Sequence, residues 1–235
     1  MKLNEITSPA LTPDQVKWLD DMKITDYSVD SEGFVNVDGD VDISYKNLTS
    51  IPVKFGYVGG NFSCEHNNLT SLQGAPREVG GNFNCIYNKL TSLQGSPREV
   101  GRGFYCQHNN LTSSLQGAPR EVGGYFVCSN NNLTSLQGAP KEVGENFYCW
   151  NNNLTSLQGA PREVGGNFDC GFNNLSSLQG APREIGGYFY CYHNNLSSLQ
   201  GGPREVGGDF ICGHNKFTLE PDHSFIKIDG NFVWK

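Results

Sequence analysis

The chain has 235 residues, 17 basic and 24 acidic side chains, and a formal net charge of −7, with 37% hydrophobic residues. No apolar run is long enough to cross a bilayer, and Met1 to Asp21 lacks the apolar core of a secretory leader, so a cytoplasmic protein without membrane contact is expected. Charge placement also argues against nucleic acid: residues 1–46 hold ten acids and four bases, while residues 47–206 hold ten of each and offer no basic stripe for phosphates.

Residues 12–24 are predicted as the one sizeable helix. Thr12 can cap it, Pro13 suits the first helical position, and Gln15 completes a capping box. Val16, Leu19 and Met22 recur at helical spacing, and Trp18 and Ile24 widen that face. Tyr27-Ser28-Val29 and Phe34-Val35-Asn36-Val37 then alternate as short strands around a Glu32-Gly33 turn. Residues 1–36 read as an N-terminal α/β cap over the end of the array that follows.

The rest of the chain repeats one 21-residue unit, LTSLQGAPREVGGNFxCxxNN. Phe62, Phe83, Phe104, Phe126, Phe147, Phe168, Phe189 and Phe210 mark the same point in eight copies; the single 22-residue spacing comes from an extra serine in Leu111-Thr112-Ser113-Ser114-Leu115. The pattern begins earlier, with Val41 and Ile43 at the Phe and Cys positions, and ends later, with Phe232 and Trp234. Ten rungs are therefore expected. A fixed period of this length is the mark of a solenoid. The fold expected is a β-rich solenoid of about ten short parallel strands, with the array at 37–216 and a C-terminal capping rung at 217–235. At ~4.8 Å per rung the column would span roughly 43 Å.

Within one coil, Phe62 and Cys64 alternate inward while Asn61, Ser63 and Glu65 point outward. Leu69, Leu72 and Val79 return to the core, Gln73-Gly74-Ala75-Pro76 is turn, and Gly80-Gly81 permits a tight or bulged approach to the next strand. Asn67 and its seven equivalents can satisfy backbone groups of neighbouring coils.

The pattern Phe62-x-Cys64-x-x-Asn67-x-Leu69-x-x-Leu72 resembles the leucine-rich repeat core LxLxxNxLxxL, with Phe and Cys in place of two leucines. The short unit and Pro76 resemble the compact bacterial type found in secreted effector ligases of enteric pathogens. The near-identical LTSLQGAPREVGG copies and the VDGDVDIS opening are more similar still to arrays encoded by large tailed bacteriophages. One departure is visible: three residues separate Val79 from Phe83 where the usual repeat has two, which leaves the strand register at the Gly-Gly open. Nothing resembles the ligase domain of the enteric effectors. The phage resemblance implies a protein in the host cytoplasm, directed at a bacterial host protein, such as a component of a defence system.

No catalytic constellation is evident, and a non-enzyme without cofactor or metal is expected. The eight cysteines repeat one inward position without CxxC pairs, which suits buried small hydrophobes better than disulfides or zinc. His66, His108, His193 and His214 share one repeat position, and only His193 and His214 occupy neighbouring rungs. The seven Arg/Lys-Glu pairs, from Arg77-Glu78 to Arg204-Glu205, read as solvated charge ladders on the convex side that contribute little each.

The copies differ chiefly beside the phenylalanine, at positions that face out from the strand. The candidate partner-binding residues there are Tyr105, Tyr125, Val127, Tyr148, Trp150, Asp169, Phe172, Tyr188, Tyr190, Tyr192 and Ile211. Tyr and Trp bury much area with few rotors and keep a polar tip, which suits a protein–protein interface, although strands also favour aromatics for cross-strand stacking. The function expected is binding of another protein through the strand-lined face. Carbohydrate binding and a structural virion role are the alternatives.

Overall fold

The structure, a computed structural model, describes residues 10–235. Residues 1–9, which belong to the expected cap and to the segment read for a leader, lie outside the described residues.

Helix α1 (Pro13–Asp21) forms as its caps dictate: Gln15 N donates to Thr12 Oγ1 at 3.2 Å, and Thr12 N donates to Gln15 Oε1 at 3.0 Å. Gln15 Nε2 also donates to the Pro52 carbonyl at 2.9 Å, tying the helix to the first coil. The helix ends three residues short of expectation, because Lys23 turns to φ 62° after the Met22 cap. Leu19 is fully buried and Trp18 and Met22 pack against the core, but Val16 is 37% exposed and does not belong to the buried face. Strands β1 (Ser28–Val29) and β2 (Val35–Val37) pair antiparallel around the predicted turn.

From Val35 onward every pairing is parallel, and the chain is a β-solenoid. One sheet has ten strands, at Val41, at each of the eight repeat phenylalanines and at Phe232. Ten rungs joined by nine turns agree with the sequence reading. A second sheet of eleven strands was not foreseen: each repeat's Glu-Val pair (Glu184–Ile185 in one coil), from Glu78–Val79 to Glu205–Val206, is a strand in its own right. This resolves the register at the Gly-Gly. Gly80, Gly81 and Asn82 form the corner between the two sheets, and the additional residue belongs to that corner.

Coil-to-coil distance at the corner accounts for the first glycine. A side chain on Gly80 would run into the carbonyl of Gly59 one coil earlier, and the same collision recurs at Gly101, Gly123, Gly144, Gly165, Gly186 and Gly207. The extra serine changes none of this. Phe104 still pairs with Phe126, so the added residue is absorbed between Leu111 and Leu115, both fully buried.

Each coil contributes Phe, Cys, Leu, Leu and Val to one continuous core. The rings from Phe62 to Phe189 stack with centroids 5.2–5.9 Å apart and planes within 29°. One coil has no other way to cover its apolar face, so stacking and folding are the same event.

Candidate functional site

In-register stacking turns positions 21 residues apart into columns on the outer face of the phenylalanine sheet. Tyr148, Asp169, Tyr190 and Ile211 are direct neighbours in one column. Beside it, one step along the strand, runs a second column of Trp150, Gly171, Tyr192 and Gly213. Six of the candidate residues, Tyr148, Trp150, Asp169, Tyr190, Tyr192 and Ile211, thus line one cavity of ≈ 620 Å³, together with Asn167, His193, Gly213, His214 and Lys235.

Gly213 leaves one part of the cavity wall without a side chain, and Gly171 makes room for the Tyr192 ring that forms another part. A Cβ on Gly171 would stand 2.9 Å from two ring atoms of Tyr192 and 3.1 Å from Asp169 Oδ1. The ring of Tyr192 therefore leans over the space that a side chain at 171 would fill. Tyr190 and Tyr192 meet edge to face, centroids 6.3 Å apart. Tyr192 meets Phe172 in the same way at 5.2 Å, and the Tyr148 hydroxyl accepts from Asn146 Nδ2 at 2.9 Å. These contacts fix the rings in place.

Asp169 is the one acid in this wall. Its Oδ1 accepts from Gly171 N at 2.8 Å, and its carboxylate has no ion-pair partner among the described residues. Burial beside the rings pushes its carboxyl up to about 6, against the weaker pull of the Gly171 amide. The nearby ammonium of Lys235 lies over the Trp234 ring at 4.8 Å. Burial also raises the phenols of Tyr190 and Tyr192, and the charge of Asp169 adds to both.

The remaining candidates lie elsewhere on the same sheet. Tyr105 covers Gly103, where a Cβ would stand 2.5 Å from its ring. Tyr125 is 37% exposed, and the carboxylate of Glu145 beside it raises its phenol. Tyr188 is 42% exposed at the sheet corner, 5.9 Å from Tyr190. Phe172 sits in the turn after its strand at φ 51° and stacks on His193 at 4.4 Å. Val127 is a correction: in register between the larger Tyr105 and Tyr148 it is only 9% exposed, and it offers little contact surface.

No family model matches the chain, and neither a curated protein nor a solved structure matches it.

Several repeated polar residues are scaffold. Asn88 Nδ2 donates to the carbonyls of Cys64, Cys85 and Ile86 at 3.0–3.2 Å, and its Oδ1 accepts from Leu69 N at 2.9 Å. The same set recurs coil after coil. A second ladder occupies the position before most of the phenylalanines, a position expected to be free to vary. Asp40 accepts from Asn61 N, Asn61 from Asn82 N, Asn82 from Gly103 N, Asn146 from Asn167 N and Asn167 from Tyr188 N. Gly103, Tyr125 and Tyr188 interrupt that ladder, and the two tyrosines each put a ring where other coils carry an amide or carboxylate that accepts from the next coil. An aromatic that displaces a structural hydrogen bond is a stronger pointer to a surface with a task than variation alone.

The histidine position is a ring column. Tyr45, His66, Tyr87 and His108 stack at 4.3–4.4 Å, as do Phe172, His193 and His214, all at left-handed turn residues. Among the described residues no three His, Cys, Asp or Glu converge as metal ligands. All eight cysteines are free and buried. Burial raises the thiols of Cys64, Cys85, Cys106, Cys128, Cys149, Cys170 and Cys191, so the nucleophilic thiolate is suppressed.

The glutamates line a shallow groove of ≈ 860 Å³ on the second sheet, in register from Glu99 to Glu205. Of the seven sequence-adjacent Arg/Lys-Glu pairs only Arg162 and Glu163 are in contact, at 3.6 Å. Arg77 turns instead to Glu32 at 3.3 Å and lies over the Phe34 ring at 3.6 Å, while Glu205 is held by Lys227 at 2.6 Å. Among the described residues no helix is long and apolar enough to cross a membrane.

Proposed function

We propose that this chain is a non-enzymatic recognition module that binds another protein through the aromatic face of its phenylalanine sheet. One observation carries this reading: near-identical coils diverge where their side chains face out, and six of the divergent residues converge on a single cavity of ≈ 620 Å³. Aromatic side chains held rigid by their neighbours and concentrated in a concavity are the composition of an interface hot spot. The resemblance to leucine-rich repeats of bacteriophages extends the reading. It makes the partner a protein of a bacterial host, met in the host cytoplasm and modulated or inhibited by the complex.

The test is a pull-down from bacterial lysate with wild-type protein and the variant Tyr148→Ala/Trp150→Ala/Tyr190→Ala/Tyr192→Ala, with the prey then purified and rebound. A prey retained by the wild type and lost by an equally folded variant supports the reading. Equal retention by both sinks the proposed face.

Carbohydrate binding is the second reading, favoured by the carboxylate of Asp169 and the amide of Asn167 among the rings of the same cavity. Rings stack on sugar faces while such groups bond to hydroxyls. Signal on a glycan array that is lost in the same variant selects this reading over the first.

A further inference from the structure

We infer that the cavity over Asp169 is a cage for one cationic side chain, an arginine or lysine presented by the partner protein. The inference rests on the proposed binding face and names the chemistry that the face selects. Its parts come from three successive coils. Asp169 lies directly between Tyr148 and Tyr190, and Gly171 lies in the next column between Trp150 and Tyr192. The arrangement is a carboxylate and four aromatic side chains around one cavity, with the Tyr192 ring seated over Gly171.

Each part favours a cation. The face of an aromatic ring attracts positive charge, and Trp does so most strongly. Asp169 is already mostly withdrawn from water, yet Gly171 N is its one hydrogen-bond donor and it has no ion-pair partner among the described residues. A carboxylate in that state gains from an incoming guanidinium or ammonium, which restores the interaction that burial removed. The chain's own cation at this cavity, Lys235, holds its Nζ over the Trp234 ring and forms no ion pair with Asp169. A neutral apolar side chain would fill the same space but leave the carboxylate unpaired, so the site discriminates against it.

The seat of the Tyr192 ring is made by the sequence of this coil alone. At the position of Gly171 the other rungs carry Ser44, Glu65, Ile86, Gln107, Ser129, Trp150, Tyr192 and Lys235, with Gly213 two rungs further on. Only at Gly171 does a missing side chain fall between two large rings and beside an acid.

A synthetic library of short peptides is screened on immobilised wild-type protein, on the four-alanine variant, on Asp169→Asn and on Gly171→Ala, with circular dichroism confirming that each is folded. The expected result is a set of peptides that bind the wild type and not the four-alanine variant, and that share one arginine or lysine. Replacing that residue by citrulline or norleucine weakens binding at least tenfold. Asp169→Asn weakens the cationic peptides at least tenfold but leaves their neutral analogues unchanged, and Gly171→Ala weakens them to a similar degree. Face-dependent peptides with no common cation, or cationic peptides indifferent to Asp169→Asn, overturn the cage and leave the binding face standing. Absence of any peptide that distinguishes wild type from the four-alanine variant overturns both.

Discussion

Tyr192 stands over Gly171 on the preceding coil, so close that a methyl group on Gly171 would meet its ring at 2.9 Å. Two residues 21 positions apart in the chain thus set one part of the cavity wall, because the glycine controls how far the tyrosine can lean. Gly171 does not adopt a left-handed backbone, so alanine is sterically barred by the ring alone and not by the chain.

Gly171→Ala should therefore push the Tyr192 ring aside while leaving the solenoid intact. The Trp150 environment, read by fluorescence in a protein whose Trp18 and Trp234 are changed to Phe, should shift. The unfolding temperature should move by only a few degrees, the effect of about 1 kcal/mol. A collapse in stability with no spectral change would contradict this account of the cavity.

Asp169 sets a pH dependence of stability. Its folded-state value of about 6 lies above the ordinary carboxylate value of 3.8, so the native state holds a proton that the unfolded chain has released. Stability from this group is complete below about pH 4 and is lost as pH rises through 6. Asp169→Asn should relieve the penalty above pH 7 by on the order of 2 kcal/mol and give no advantage at pH 3.5. Denaturant midpoints of the two proteins at both pH values measure it.

The asparagine ladder should be the costliest polar element to break. Asn109 Nδ2 donates to the carbonyls of Cys85, Cys106 and Gln107 at 3.0–3.4 Å, and its Oδ1 accepts from Leu90 N at 3.0 Å. Asn109→Ala leaves these buried groups unpaired, which costs about 3 kcal/mol or more. The half-buried Asn215 makes the same set in the last complete coil, where water can compensate, so Asn215→Ala should cost clearly less. Thermal unfolding of the two variants gives the comparison.

The thiols should be silent in the folded protein. With all eight cysteines free and buried, a thiol reagent such as DTNB should titrate none under native conditions and eight in denaturant. Rapid native labelling of even one would contradict the closed core.

Much of this molecule was legible before folding was considered. The helix cap at Thr12, the hairpin at Gly33, the inward Phe-Cys pair and the asparagine ladder are local patterns, and each residue type serves the same role in every coil. The second sheet was not legible. Glu78–Val79 is two residues long, too short for an alternation to register, and its strand character comes from identical pairs above and below it. The position before the phenylalanine was misread as free surface, because its Asn side chains bond to backbone in the next coil, a contact without trace in a single repeat. Gly171 was passed over as a contributor since a glycine offers no chemistry of its own; its signal was the absence of a side chain where most other copies have one.

By itself, the sequence determined that the chain is a stacked coil of ten rungs, because a 21-residue apolar period can be buried only by copies of itself in register. Which of the varying residues meet was decided by the tertiary structure. Register brings residues 21 apart to within ~4.8 Å, and only then do Tyr148, Asp169 and Tyr190 become neighbours around one cavity, with Tyr192 seated over Gly171 at its wall.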